Sequence, residues 1–383
     1  MGVLTRVFPP DVVDEVIAEA GRTQQRHRAL PARVMAYFAI GMGLYGEGSY
    51  EDVLAQLTDG LAWASGWREQ YRWPGKSAIF QARERLGFEP VRALFQRVAR
   101  PLAVADTAGA FLAGRRLVAI DGTTLDVADT PANDEFFGRP GVNKGERSAF
   151  PQARVVALAE CGTHAIFDAE IGPYSMSELA LSRALVDRLA PGMVLLADRG
   201  FTGFELWQRA AATGAELLWR AKANVSPRQV ELLEDGSWLG EMRTNNARLN
   251  REAIVVRVVD YSINDGRGNE AGPFRLFTTL LDPSEVSAVE LATAYGQRWE
   301  IESTFDELKT HQRGSKVVLR SKSPALVQQE IWGHLCCHYA IRTLMFEAAQ
   351  HATVDPDRVS FVAALRITRR SLSGARDFPP SEQ

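Results

Sequence analysis

Seventeen residues near the end of the chain, Ala294 to Thr310 (AYGQRWEIESTFDELKT), constrain it more than any other stretch. At about 100° per residue, a helix places Tyr295, Arg298, Glu302 and Lys309 within roughly 60° of one another. Ala294, Ile301, Phe305 and Leu308 form the adjacent apolar stripe, the face that such a helix lays on a core. The edge of that buried seam then carries one carboxylate flanked by Arg, Lys and Tyr. Hard carboxylate oxygens suit a metal ion, and the cations suit a phosphate beside it. Taken alone, the same pattern also describes an amphipathic helix with a solvated charged face.

Two short apolar runs end in further acids. Arg116 to Asp121 (RLVAID) precedes Gly122-Thr123-Thr124, and Met193 to Asp198 (MVLLAD) precedes Arg199-Gly200-Phe201. Apolar runs of this length bounded by turn signals predict buried strands. An acid at the C-terminal end of such a strand sits where a sheet opens to ligand. Asp-Gly is also a favoured turn pair, and Asp a helix cap. The order Asp, Asp, Glu along the chain favours a joint role.

The run Tyr295, two residues, Arg298, three residues, Glu302, six residues, Lys309 resembles the signature of the insertion-element-four family of DDE transposases. Asp121 in Asp-Gly-Thr and Asp198 in Asp-Arg-Gly-Phe are similar to that family's other acidic contexts. The resemblance implies that Asp121, Asp198 and Glu302 are catalytic and hold Mg²⁺, for which Mn²⁺ can substitute. It implies a transposase that cuts double-stranded DNA at an element's terminal inverted repeats, joins the 3′ ends to target DNA, and works as a homodimer. Two ions about 3.5–4 Å apart can serve the attacking and leaving oxygens, with Asp121 the expected bridging ligand. Asp306 shares a helix face with Glu302 and is its rival; the family spacing favours Glu302. Glu300 and Glu307 are expected to point away into solvent. Arg298, Lys309 and Tyr295 are expected on DNA phosphates, Arg as a bidentate fork and Lys as a point charge. Arg199, beside Asp198, is a further expected DNA contact. Two alternatives stay open: a catalytically silent or domesticated relative that binds DNA, and a metal-dependent nuclease with the same core.

At 383 residues, 46% hydrophobic and 24% charged, the chain suits two or three globular domains. No apolar stretch reaches membrane-spanning length and Met1 to Pro10 lacks a signal-peptide core, so a cytoplasmic, nucleoid-associated location is expected. Cys161, Cys336 and Cys337 cannot build a disulfide framework. No GxxxxGK[ST] run is present, so no nucleoside triphosphate is expected. The net charge of −3 conceals segregation: Tyr71 to Arg100 holds seven Arg/Lys against two Glu, and Arg366, Arg369, Arg370 and Arg376 form another basic run.

Residues 1–108 read as helical, with Ser49 a helix-cap signal and a helix-turn-helix pattern from Pro74 to Val104. Periodicity alone favours a helical hairpin with solvated arginines; the resemblance, to a family whose N-terminal domain binds element ends, puts the basic residues of its first helix, Lys76, Arg83 and Arg85, on DNA as an expectation. From residue 109 the order is three strands (117–121, 153–160, 164–171), then a helix (177–189), the Asp198 strand, a helix (205–212) and a strand (216–221). That order resembles an RNase H-like α/β core, a mixed sheet flanked by helices. Between Asp198 and Glu302 lie 103 residues, too many for a simple connection. They predict a β-rich insertion at 205–285, with a turn at Asp265-Gly266, between catalytic segments 109–204 and 286–350. A basic helical segment, 351–383, follows. Phe136 to Pro151 reads as a loop that touches DNA. The resemblance makes Trp219 and Trp238 candidates for stacking on a flipped base, but each is expected rather as a core or packing residue. His334, Cys336, Cys337 and His338 are not assigned to zinc, because Cys337 leaves the face that the histidines share.

Overall fold

The middle of the chain alternates apolar strands with amphipathic helices, and the strands join into one twisted sheet. The computed structural model describes residues 2–24, 29–58, 74–141, 147–222, 225–243, 253–264, 270–314 and 318–374. Among the described residues six helices come first: α1 (Gly2–Val7), α2 (Pro10–Glu19), α3 (Ala32–Leu44), α4 (Tyr50–Thr58), α5 (Lys76–Leu86) and α6 (Glu89–Val98). Then follow β1 (Phe111–Leu112), β2 (Arg115–Asp126), α7 (Pro131–Phe137), β3 (Gln152–Glu160), β4 (Ile166–Pro173), α8 (Glu178–Val186), β5 (Met193–Ala197), α9 (Phe204–Ala211) and β6 (Glu216–Arg220). Strands β7 (Arg228–Leu232), β8 (Trp238–Met242), β9 (Ile254–Asn264) and β10 (Glu270–Thr278) lead to α10 (Ala288–Gly296), α11 (Glu300–Asp306), α12 (Pro324–Ala352) and α13 (Phe361–Gly374).

The sheet order is β4-β3-β2-β5-β6-β10-β9-β8-β7, with β1 paired to β2. Strand β3 runs antiparallel to both β2 and β4, whereas β5 and β6 run parallel to β2. The first five strands of that path form the mixed sheet expected from the sequence. Alternation along β2 serves two cores. Val118 and Ile120 pack with Leu185 and Trp207 of α8 and α9, and Leu117 and Ala119 pack with Phe305, Leu308 and Leu335 on the opposite face.

Two expectations change. Strand β2 continues past Asp121 to Asp126, because β3 pairs with it throughout, including Asp121 opposite Ala157. Asp121 therefore leaves its parallel neighbour without leaving the sheet. The β-rich stretch also begins later than residue 205, since α9 and β6 belong to the core. Strands β7–β10 extend the same sheet from β6 through β10. The Asp265-Gly266 turn lies outside the described residues.

The N-terminal helices share their core with the sheet and the C-terminal helices packed on it. Helix α3 is buried on nearly all sides and crosses α12 where glycines permit it. A Cβ on Gly333 would lie 2.2 Å from the Ala39 carbonyl oxygen, and one on Gly43 would lie 2.7 Å from Cys337 Cβ. The 108 boundary divides secondary-structure types, not hydrophobic cores. The Ser49 cap is formed, with the Asp52 N–H donating to Ser49 Oγ (3.1 Å) and the Ser49 N–H to Asp52 Oδ2 (2.8 Å).

Candidate active site

The parallel pairing of β2 with β5 ends at Ile120 opposite Ala197. The next residue on each strand is an acid, so Asp121 and Asp198 emerge side by side where the two chains part. Asp121 Oδ1 accepts from the Gly122 N–H at 2.7 Å. Asp198 caps a 3₁₀ turn over Arg199–Phe201, accepting from the Gly200 N–H at 2.7 Å.

The third element approaches from the face that Asp121 shares with Leu117 and Ala119. Its predicted single helix is three pieces: α10, a 3₁₀ turn over Gln297–Trp299, then α11 running into a π turn over Glu307–His311. π turns inside helices cluster at functional sites. Arg298, 6% exposed, donates to Glu302 Oε1 at 2.8 Å and lies 3.6 Å from Asp121 Oδ2. Lys309 Nζ donates to Thr123 Oγ1 at 3.1 Å, fixing the far end of the helix to β2. Asp306 instead accepts from Thr310 Oγ1 (2.6 Å) and sits 3.5 Å from the His311 Nε2. Tyr295 is buried, and its hydroxyl donates to the Ala197 carbonyl at 3.3 Å, just before Asp198. It buttresses the site in this state and has no free hydroxyl for phosphate.

Burial pushes the Asp121 carboxyl up to about 6. The Gly122 N–H and Arg298 oppose that rise, and the negative charges of Asp198 and Glu178 add to it. Glu178 was not singled out from the sequence. It opens α8, and its carboxyl group occupies the space where a Gly122 Cβ would stand, 2.6 Å from its Cδ. The Gly after Asp121 and the acid at a helix start were the available signals.

Other assigned residues divide. Lys76 and Arg199 are exposed and Arg85 is half-buried. Arg83 is 0% exposed: it donates to Gln329 Oε1 (2.9 Å), Tyr50 Oη (2.6 Å), Ser321 Oγ (3.0 Å) and the Leu326 carbonyl (3.1 Å). It ties α5 to α12 and is withdrawn as a DNA contact. Trp219 is fully buried edge-on against Trp207, and Trp238 donates to Asp260 at 3.3 Å; Trp219 is a core residue. His334 faces Gln312, and His338 Nε2 faces Glu307 at 3.1 Å. Arg369 turns inward to the Leu44 and Gln312 carbonyls. Residues 71–73 and 142–146, and Arg376, lie outside the described residues.

Glu300 and Glu307 do point away from Asp121, but not into water. Arg342 and His338 grip Glu307, and Glu300 accepts from the Gly162 N–H. Burial pushes Glu300 up to about 7, against the pull of Gly162 and His164. His164, Glu300 and Asp357 bring three ligand atoms within 4.8 Å of one another. Arg342 lies 2.7 Å from His164 Nδ1. A guanidinium only donates, so Nδ1 must present its lone pair and the proton of the neutral ring sits on Nε2. That nitrogen faces Asp357 at 3.0 Å and Glu300 at 3.5 Å. The trio is a cluster of two carboxyl groups around one imidazole, behind the helix.

A mixed sheet of this order, with acids on its adjoining central strands and a third on a facing helix, defines the DDE class of DNA-processing enzymes. Residues 112–340 match the transposase DDE domain, and residues 1–96 match the insertion element 4 transposase N-terminal domain. The chain belongs to the DDE transposases of the insertion element 4 family. It is 28% identical over 367 residues to transposase InsG for insertion sequence element IS4 of Escherichia coli K12, covering 95% of this chain and 81% of that one. It is 29% identical over 159 residues to InsZ of the same strain, covering 41% and 53%. A piggyBac transposase synaptic complex with hairpin DNA aligns over 97% of this chain and 79% of that one, with a TM-score of 0.46 and 13% identity. Membership makes the chain a DNA-acting enzyme that uses a divalent metal. The all-oxygen donor set of Asp121, Asp198 and Glu302 would fit a hard cation. Among the described residues, no helix is long and apolar enough to cross a membrane.

Proposed function

We propose that the chain cleaves DNA at the ends of its insertion element and joins the 3′ ends to target DNA. Asp121, Asp198 and Glu302 hold Mg²⁺, or Mn²⁺ in its place. The observation that carries this reading is the convergence of Asp121 and Asp198 on adjoining strands, with Glu302 linked to Asp121 through Arg298. Its hydrogen bond to Arg298 favours Glu302 over Asp306, whose carboxylate is engaged within its own helix. When bound, the metal supplies Lewis-acid stabilisation of the oxygens entering and leaving phosphorus. The chain's own residues bind and orient the strand. Arg298 and Lys309 neutralise phosphate oxygens flanking the scissile bond, and Tyr295 keeps the Asp198 turn in place. Arg199, Lys76 and Arg85 contact DNA further out. Two ends must be held together for joining, so the working form is a homodimer on DNA, acting at the nucleoid. The catalytic unit comprises β2–β6 and α10–α12, the N-terminal helices bind the ends, and β7–β10 form the insertion.

Purified protein incubated with Mg²⁺, a plasmid carrying the element, and a second target plasmid tests this reading. Joined products with the element's 3′ ends in the target are expected. Free ends alone would make the protein a nuclease, and DNA binding without cleavage would make it a silent relative.

A further inference from the structure

The carboxylates assigned to the metal already hold a cation. Arg298 lies between Asp121 (3.6 Å) and Glu302 (2.8 Å). It is held less fully than Arg83 and Arg342, two arginines tied into the core. Arg83 and Arg342 each use Nε as a donor, to Gln329 and Glu307 respectively, at 2.9 Å in both cases. Arg298 Nε is buried with no hydrogen-bond partner. One of its two carboxylate contacts is longer than a hydrogen bond, and the other reaches a Glu302 side chain that is 45% exposed. Its guanidinium carbon lies 4.8 Å from the centroid of the Trp299 ring, whose residue is 57% exposed. Charge attracts this arginine to the site, but the site does not lock it there.

We infer that Arg298 is an internal stand-in for the divalent ion, which the ion must displace from Asp121 and Glu302 in order to bind. Metal-free protein is thereby spared leaving Asp121 and Glu302 without a neighbouring positive charge. DNA-free protein binds metal weakly, and a phosphate that draws the guanidinium away raises metal affinity. Linkage requires the converse as well: bound metal frees Arg298 for phosphate. The inference rests on the reading of Asp121 and Glu302 as metal ligands.

Calorimetric titration of Mn²⁺ into DNA-free protein tests it. Arg298→Gln removes the competing charge and should tighten the Mn²⁺ Kd by about fivefold or more, within the usual span of site-to-site coupling. Arg298→Lys should return it towards wild type. An unchanged or weaker Kd for Arg298→Gln overturns the proposal, provided that Asp121→Ala has lost Mn²⁺ binding. Should Asp121→Ala bind Mn²⁺ as wild type does, the ligand assignment itself fails, and the proposal with it. If Arg298→Gln does not fold, Mg²⁺ titration of wild type against Trp299→Phe decides. A Trp299 emission change that saturates with Mg²⁺ supports displacement, and no change overturns it.

Discussion

Asp121 carries the clearest electrostatic signature of the three acids, and it makes two predictions. The first concerns stability. Its carboxyl is raised to about 6 in the folded protein, against roughly 3.9 in an unfolded chain. Between those values the folded state binds a proton that the unfolded state does not, so stability falls as pH rises through the window. Metal-free Asp121→Asn should therefore be more stable than wild type at pH 7, and no more stable at pH 4. Two pKa units set an upper figure of about 3 kcal/mol, reduced by solvent at a carboxylate that is 20% exposed. Urea unfolding at the two pH values measures the difference, and an equal gain at both would contradict it. The second concerns activity. Losing a ligand forfeits several kcal/mol of charge stabilisation, so Asp121→Asn, like Asp198→Asn and Glu302→Gln, should cut cleavage by at least about a thousandfold while gel shifts with end DNA stay near wild type. Asp306→Asn should retain cleavage. The reverse ranking would transfer the third ligand to Asp306.

The signature helix works as an element with two faces. Glu302 holds Arg298 and Lys309 reaches Thr123 of β2, while Glu300 and Glu307 are held from behind by Arg342, His338, His164 and Gly162. Stranding one partner of a buried ion pair costs about 3–5 kcal/mol. Arg342→Met should lower stability by that amount in denaturant unfolding, whereas Glu302→Gln, on the half-exposed face, should change it by less than about 1 kcal/mol. Comparable losses would deny the asymmetry. The front face was legible because Tyr295, Arg298, Glu302 and Lys309 repeat at helical spacing beside an apolar stripe. The back face was not: nothing local to Glu307 announces an arginine 35 residues away. The 3₁₀ and π turns were equally hidden, since periodicity assumes one pitch throughout.

At the scale of the whole molecule, the succession of strands and helices followed from apolar runs and their turns and the mixed sheet from the resemblance, whereas the core shared by the N-terminal helices and the sheet was not foreseen. Arg83 shows why. It was grouped with Lys76 and Arg85 by charge, yet Ile79, Ala82, Arg83 and Leu86 recur at the spacing of a buried face, and all four are buried. That signal was present, and the basic run obscured it. Because α3 and α12 share one core, calorimetry should show the N-terminal helices and the catalytic layer unfolding in one transition. Gly333→Ala, which drives a Cβ against the Ala39 carbonyl, should lower its midpoint; overpacking of this kind costs about 1–3 kcal/mol. Two separated transitions would show the halves to be independent. The central claim is that Asp121, Asp198 and Glu302 form one metal-dependent DNA-cutting site. It is tested most directly by Mn²⁺-dependent cleavage of a plasmid carrying the gene with its native flanks, comparing wild type with Asp121→Ala. Cuts at the flanks by wild type and none by the variant are predicted; equal cutting by both proteins would contradict the site.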